Sequence, residues 1–162
     1  MSSFNRRTFL LAPLAFAACG FEPALAPGGS ESVLRGQIRP RDPKERNEFL
    51  FVKRFEERLG QASGAAYTMD FQIATKSIGL AITQGQEITR FNLTGTLTFQ
   101  VKDAATGIVL TDGQVENFTS YSATGTTVAS LTSERAAAER LIAILTDQAI
   151  TRLTATSGRW AK

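Results

Sequence analysis

Apolar positions along this chain recur with two different periods, and the order in which the periods change outlines a fold. Around residues 43–60 the period is helical. Phe49, Val52, Phe55 and Leu59 recur every three or four residues, and Leu50 and Phe51 widen the stripe. Lys44, Arg46, Lys53, Arg54, Glu57 and Arg58 fill much of the remainder. Asp42 as N-cap, Pro43 at the first helical position and Glu45 three residues after the cap form a capping-box start, and Gly60 supplies a stop. The period then falls to two. Tyr67, Met69, Phe71 and Ile73 alternate with Thr68, Asp70 and Gln72, after which Ile78, Leu80 and Ile82 take the opposite parity. A strand cannot change face without an extra residue, so a bulge is expected near residues 75–77. Beyond a turn at Gln84, Gly85 and Gln86 lies the cleanest alternation in the chain. Thr89, Phe91, Leu93, Gly95, Leu97, Phe99 and Val101 share one face, and Arg90, Asn92, Thr94, Thr96, Thr98, Gln100 and Lys102 share the other. A hairpin loop at 103–107 leads to a partner strand that starts at Ile108, Val109 and Leu110 and has no readable phase beyond Gly113.

Two further elements complete the outline. A short strand over residues 32–39 precedes the first helix and is stopped by Pro40 and Pro43. A small, Thr-rich connection at 122–130 leads to a last helix that begins near Thr132 or Ser133. Its stripe is Ala138, Leu141, Ile142, Leu145, Ala149 and Leu153, and Gly158 ends it. Strands grouped between helices predict an α+β fold: a two-layer sandwich with a mostly antiparallel sheet of about four strands and two helices packed on one face. The single domain is expected over residues 32–157, with a short tail at 158–162.

Composition narrows the chemistry. The chain has no histidine and one cysteine, Cys19. That removes the commonest general base, the Ser-His and Cys-His nucleophile pairs and the usual transition-metal ligands. Asp70, Glu87, Asp103, Asp112 and Glu116 form no recognisable carboxylate motif, so no catalytic or metal-binding residue is assigned and no enzyme activity is expected. Gly28-Gly29-Ser30 lacks the lysine of a phosphate loop and reads as spacer.

The start of the chain holds the other strong signal. Arg6-Arg7 precedes a short apolar run ending in Ala17-Ala18-Cys19. The run is too short for a transmembrane helix and is broken by Pro13. A plain secretory signal also fits, but it leaves Cys19 as an unpaired thiol outside the cytoplasm. The segment resembles a bacterial lipoprotein signal peptide. That resemblance implies cleavage after residue 18 and a covalent N-acyl diacylglycerol on Cys19, with no other cofactor. Residues 19–31 then form a Pro- and Gly-bearing tether. Gly20, where an Asp would retain the protein at the inner membrane, implies sorting to the outer membrane. Arg6 and Arg7 also suit a twin-arginine signal, so the export route stays open. Without them Lys and Arg nearly balance the 15 Asp and Glu, so the basic whole-chain charge does not point to nucleic acid.

The opening Cys19-Gly20-Phe21-Glu22-Pro23 resembles the Cys-Gly-Phe-x-Pro start of the lipopolysaccharide-assembly lipoproteins, the LptE family. The helix at Phe49–Leu59, the strand opening at Ile88-Thr89-Arg90, the loop at 103–107 and the Ala-rich last helix follow in the family's order. The resemblance implies a non-catalytic lipoprotein of Gram-negative bacteria, anchored on the periplasmic face of the outer membrane. It would plug the lipopolysaccharide translocon β-barrel one-to-one, assist its assembly and bind lipopolysaccharide. Arg90, Lys102 and Lys76 are the candidate ligands for lipid phosphates. The alternative is a lipid-anchored auxiliary of an inner-membrane ABC-type transporter.

Overall fold

The computed structural model describes residues 30–82 and 88–161. The expected signal peptide, Cys19, the tether up to residue 29, the turn at residues 84–86 and Glu87 lie outside the described residues. In chain order the elements are α1 (Ser30–Leu34), β1 (Ile38–Pro40), α2 (Arg46–Leu59), β2 (Tyr67–Ile82), β3 (Ile88–Asp103), β4 (Val109–Ser122) and α3 (Thr127–Thr156), closed by a 3-10 turn at Ser157–Arg159. The strands form one sheet in the order β1-β2-β3-β4. β1 runs parallel to β2, and the other pairs are antiparallel. The expected α+β sandwich is therefore present, and its helices share one face.

Alternation decides that face. Met69, Phe71, Leu93, Leu97, Phe99 and Val101 are buried, and Phe51 of α2 lies on Phe71 with ring centroids 4.5 Å apart. Leu141, Ile142, Leu145, Ile150 and Leu153 of α3 complete the core. Each such side chain contributes about 1.5–3 kcal/mol when fully buried. α3 approaches β3 closely because Gly95 has no side chain. A Cβ there would stand 2.9 Å from Leu141 Cδ2 and 3.0 Å from Leu145 Cδ1. α2 and α3 lie side by side and run the same way. Arg46 pairs with Glu139 at 3.0 Å, and Arg54 and Arg58 each reach Asp147 at 3.1 Å.

Several expected boundaries shift, each for a physical reason. The strand expected over 32–39 is mostly helix α1 and a turn. Gly36, at φ 68°, donates to the Leu59 carbonyl at 2.7 Å, and only Ile38–Pro40 pairs with Tyr67–Met69. The turn carries Leu34 into the core, where it is fully buried. α2 begins four residues after Asp42, with Glu45 as an extended N-cap that makes no side-chain cap bond. Arg41 holds the preceding segment extended: its main-chain N–H donates to Met69 O at 2.8 Å and its Nε to Phe71 O at 3.0 Å. Glu48, third in the helix, instead reaches back and accepts from the Lys44 N–H at 2.7 Å, which ties the incoming chain to the first turn as the glutamate of a capping box does. The buried stripe is consequently Glu48, Phe51, Phe55 and Leu59, and Phe49 is 58% exposed.

β2 keeps its phase through Gly79, and the irregularity falls between Gly79 and Ala81, not at 75–77. Residues 74–80 are exposed on both faces, so Ile78 points to the open face at no cost in core packing. α3 starts at Thr127, earlier than expected. Thr126 is its N-cap and accepts from the Ala129 N–H at 3.3 Å. Beyond the helix the chain stays packed. Trp160 meets Tyr67 edge-on at 5.3 Å and donates its indole N–H to Thr156 at 3.1 Å.

Candidate ligand-binding cleft

The start of β3 and the end of β4 meet beside the early turns of α3. By alternation with the buried Leu93, Arg90 and Ser122 belong to the polar face of the sheet and the α3 residues to the other. Arg90 is paired with Ser122 across β3 and β4. Ser133, Ala136 and Arg140 recur on α3 at three- and four-residue spacing and so line one side of the same opening. The result is an open cleft of about 330 Å³ bordered by Arg90, Arg140, Ser120, Ser122, Ser133 and Tyr121. Arg140 is steadied by its bond to the Ser120 carbonyl at 3.5 Å. Tyr121 is fixed by stacking on Phe91, centroids 5.3 Å apart and planes 12° from parallel, with its hydroxyl 3.3 Å from that of Ser77.

Two arginines and four hydroxyl-bearing residues line the cleft, with no carboxylate among them. The Ser120 hydroxyl donates to Asn92 Oδ1 at 2.5 Å and the Tyr121 hydroxyl lies by Ser77, so among the described residues the hydroxyls of Ser122 and Ser133 are the ones without such a bond. Among the described residues neither Arg90 nor Arg140 has an acidic partner. Such a set suits an oxyanion: guanidinium presents forked donors that match phosphate or carboxylate, and hydroxyls supply the remaining bonds. The open solvent face leaves room for a ligand much larger than its anionic group.

Of the three cations named from sequence, only Arg90 stands in the cleft. Lys76 lies opposite Thr94 on the open face, and the Thr94 hydroxyl donates to its carbonyl at 3.1 Å. Lys102 lies at the far end of β3, about 40 Å from Arg90 at the usual rise per residue. It is paired with Asp70 at 2.6 Å. Arg140 and the serines had no signal of their own in the sequence. Polar residues at helical spacing read as a solvated face, and only the register of β4 brings them to Arg90. Cys19 lies outside the described residues. Among the described residues no helix is long and apolar enough to cross a membrane, and no group of three or more His, Cys, Asp or Glu could hold a metal ion.

The fold recurs in solved structures. A lipoprotein from Caulobacter crescentus matches with a TM-score of 0.67 at 19% identity, over 79% of this chain and 95% of that one. Rare lipoprotein B from Shewanella oneidensis matches at 0.57 and 12% identity, over 75% and 94%. A minor lipoprotein from Acinetobacter baumannii matches at 0.56 and 16% identity, over 74% and 90%. These likenesses establish the shared architecture. No curated protein matches the sequence. The sequence profile of the family described as Lipopolysaccharide-assembly, LptE, matches residues 34–153, which is the whole span from the buried Leu34 to the last core residue of α3. The chain therefore belongs to the LptE family of lipopolysaccharide-assembly proteins, a non-catalytic family of the bacterial envelope.

Proposed function

We propose that the protein is a lipoprotein, acylated at Cys19 and held on the periplasmic face of the outer membrane, that plugs the lipopolysaccharide translocon barrel one-to-one and assists its assembly. In this reading lipid phosphates dock between Arg90 and Arg140. The family supports the role in lipopolysaccharide assembly, and the related structures are described as lipoproteins. The open sheet face supports the plug. It carries Thr94, Thr96, Thr98 and Gln100 with no helix over it, a surface matched to the polar lumen of a barrel. The observation that carries the ligand reading is the pair of arginines lining a cleft free of carboxylates.

Binding of purified lipopolysaccharide to Arg90→Ala and to Arg140→Ala tests it. A charge-assisted bond is worth about 1.5–3 kcal/mol, so each variant is expected to bind roughly 10–100-fold more weakly with little change in Tm. Lys102→Ala, whose cation is already paired, is expected to bind as the parent does. Equal loss in all three variants, or none in the first two, rejects the cleft. Pull-down from detergent-solubilised outer membranes tests the plug: a large β-barrel at one-to-one ratio is expected, and co-purification of an ATPase and permease instead rejects it.

A further inference from the structure

The sheet has two free edges, and the chain treats them differently. Along β4 side chains take part of the edge. Arg152 donates to the Gln114 carbonyl at 3.3 Å, Arg140 to the Ser120 carbonyl at 3.5 Å, and the Asn117 amide oxygen accepts from the Phe118 N–H at 2.8 Å. Along β2 the first part is closed by β1 and then by Arg41, which takes the carbonyls of Met69 and Phe71. The Tyr67 N–H donates outward to Gln37, and the Met69 carbonyl accepts outward from Arg41. The outward groups of β2 therefore belong to its odd-numbered residues. The Thr94 hydroxyl bound to the Lys76 carbonyl confirms that even-numbered groups turn toward β3. Ile73, Thr75, Ser77 and Gly79 are next in the series, and among the described residues their outward N–H and C=O groups meet no partner. From residue 74 onward this stretch is exposed on both faces, and it contains no proline. An uncovered edge of this kind is a template for strand addition.

We propose that the β2 edge from Ile73 to Gly79 receives an added strand from a different protein, one that carries a carboxylate near Lys76. Charge selects the occupant. Lys76 is the one ionisable residue of the stretch and has no acidic partner among the described residues. In a symmetric pairing of two copies that joins these four residues, the two Lys76 side chains fall opposite or diagonally opposite on one face, which is unfavourable. An acidic segment removes that cost and gains a cross-strand ion pair. Its apolar residues would cover Ile78 and Leu80, which are exposed.

Amide hydrogen exchange resolved by residue tests this, comparing the free full-length protein in detergent with the complex isolated on its tag from solubilised membranes. The amides of Ile73, Thr75, Ser77 and Gly79 are expected to exchange fast in the free protein and roughly 100-fold more slowly in the complex. Those of Gln72, Ala74 and Lys76 are slow in both. Thr75→Pro removes one outward N–H, which an edge strand tolerates, and Lys76→Glu reverses the selecting charge. Both are expected to lose the partner at unchanged Tm. If Thr75→Pro does not fold, the exchange pattern decides alone. The proposal is overturned if no protein co-purifies, if a complex forms with the four amides still fast, or if the free protein dimerises with those amides protected.

Discussion

Among the described residues, Arg41 and Glu48 form the one ion pair that is largely withdrawn from solvent. The guanidinium lies 4.3 Å over the Phe71 ring and spans β2 and α2 by binding both the Phe71 carbonyl and the Glu48 carboxylate. The hydrogen bond from Arg41, helped by the Lys44 N–H, outweighs burial and lowers the Glu48 pKa from 4.5 to about 2. Because the folded value lies below the unfolded one, the pair stabilises the protein fully above about pH 4.5, and that contribution is lost as pH falls toward 2. Glu48→Gln is expected to cost about 1–2 kcal/mol at pH 7 and to flatten the decline of Tm between pH 5 and 2.5. Thermal unfolding across that range checks it, and an unchanged acid limb would remove the pair from the stability of the fold. At this scale the sequence was least legible. A glutamate at a buried position and a phenylalanine at an exposed one invert the usual sorting, and only the distant Arg41 explains the inversion.

Among the elements, the clean alternation of β3 was readable because one of its faces is buried along most of its length, whereas β4 was not. Its inward positions include Gly113, Asn117 and Thr119, which are not apolar. Gly113 and Thr119 have their cause in the neighbouring layer. A Cβ at Gly113 would stand 2.7 Å from the Phe99 ring and 2.8 Å from Arg152, and Thr119 donates to the Ala137 carbonyl at 3.0 Å. A polar residue that spends its hydroxyl on a helix carbonyl looks, in sequence, like a residue facing water. The same close packing yields a test. Gly95→Val forces Leu141 and Leu145 off α3's contact with β3 and is expected to cost about 1–3 kcal/mol, read as a lower urea midpoint with an unchanged m-value. A neutral result would show that the helix can lift without loss.

For the whole molecule, the sandwich was legible because long-range order of elements survives local errors of boundary, and the family because that order followed the Cys19-Gly20-Phe21-Glu22-Pro23 opening. The cleft was half legible: Arg90 stood on a readable strand, but its companions needed the pairing of β3 with β4. Strands of 14–16 residues make the sheet about 50 Å long, with the cleft at one end and α1 with the 3-10 turn at Ser157–Arg159 at the other. If Cys19 carries the lipid, Cys19→Ser is expected to move the protein from the membrane to the soluble periplasmic fraction, since stable anchoring takes more than one acyl chain and lipoprotein acylation supplies that. Fractionation checks it, and unchanged sedimentation with membranes would place the anchor elsewhere. The edge-on contact of Trp160 with Tyr67 has an optical consequence. Trp160 is the sole indole of the chain, so tryptophan fluorescence, excited apart from tyrosine, reads only the end remote from Arg90. Filling the cleft should leave the emission maximum where it is, and a red shift would signal that α1 and the terminal turn have come away from the sheet.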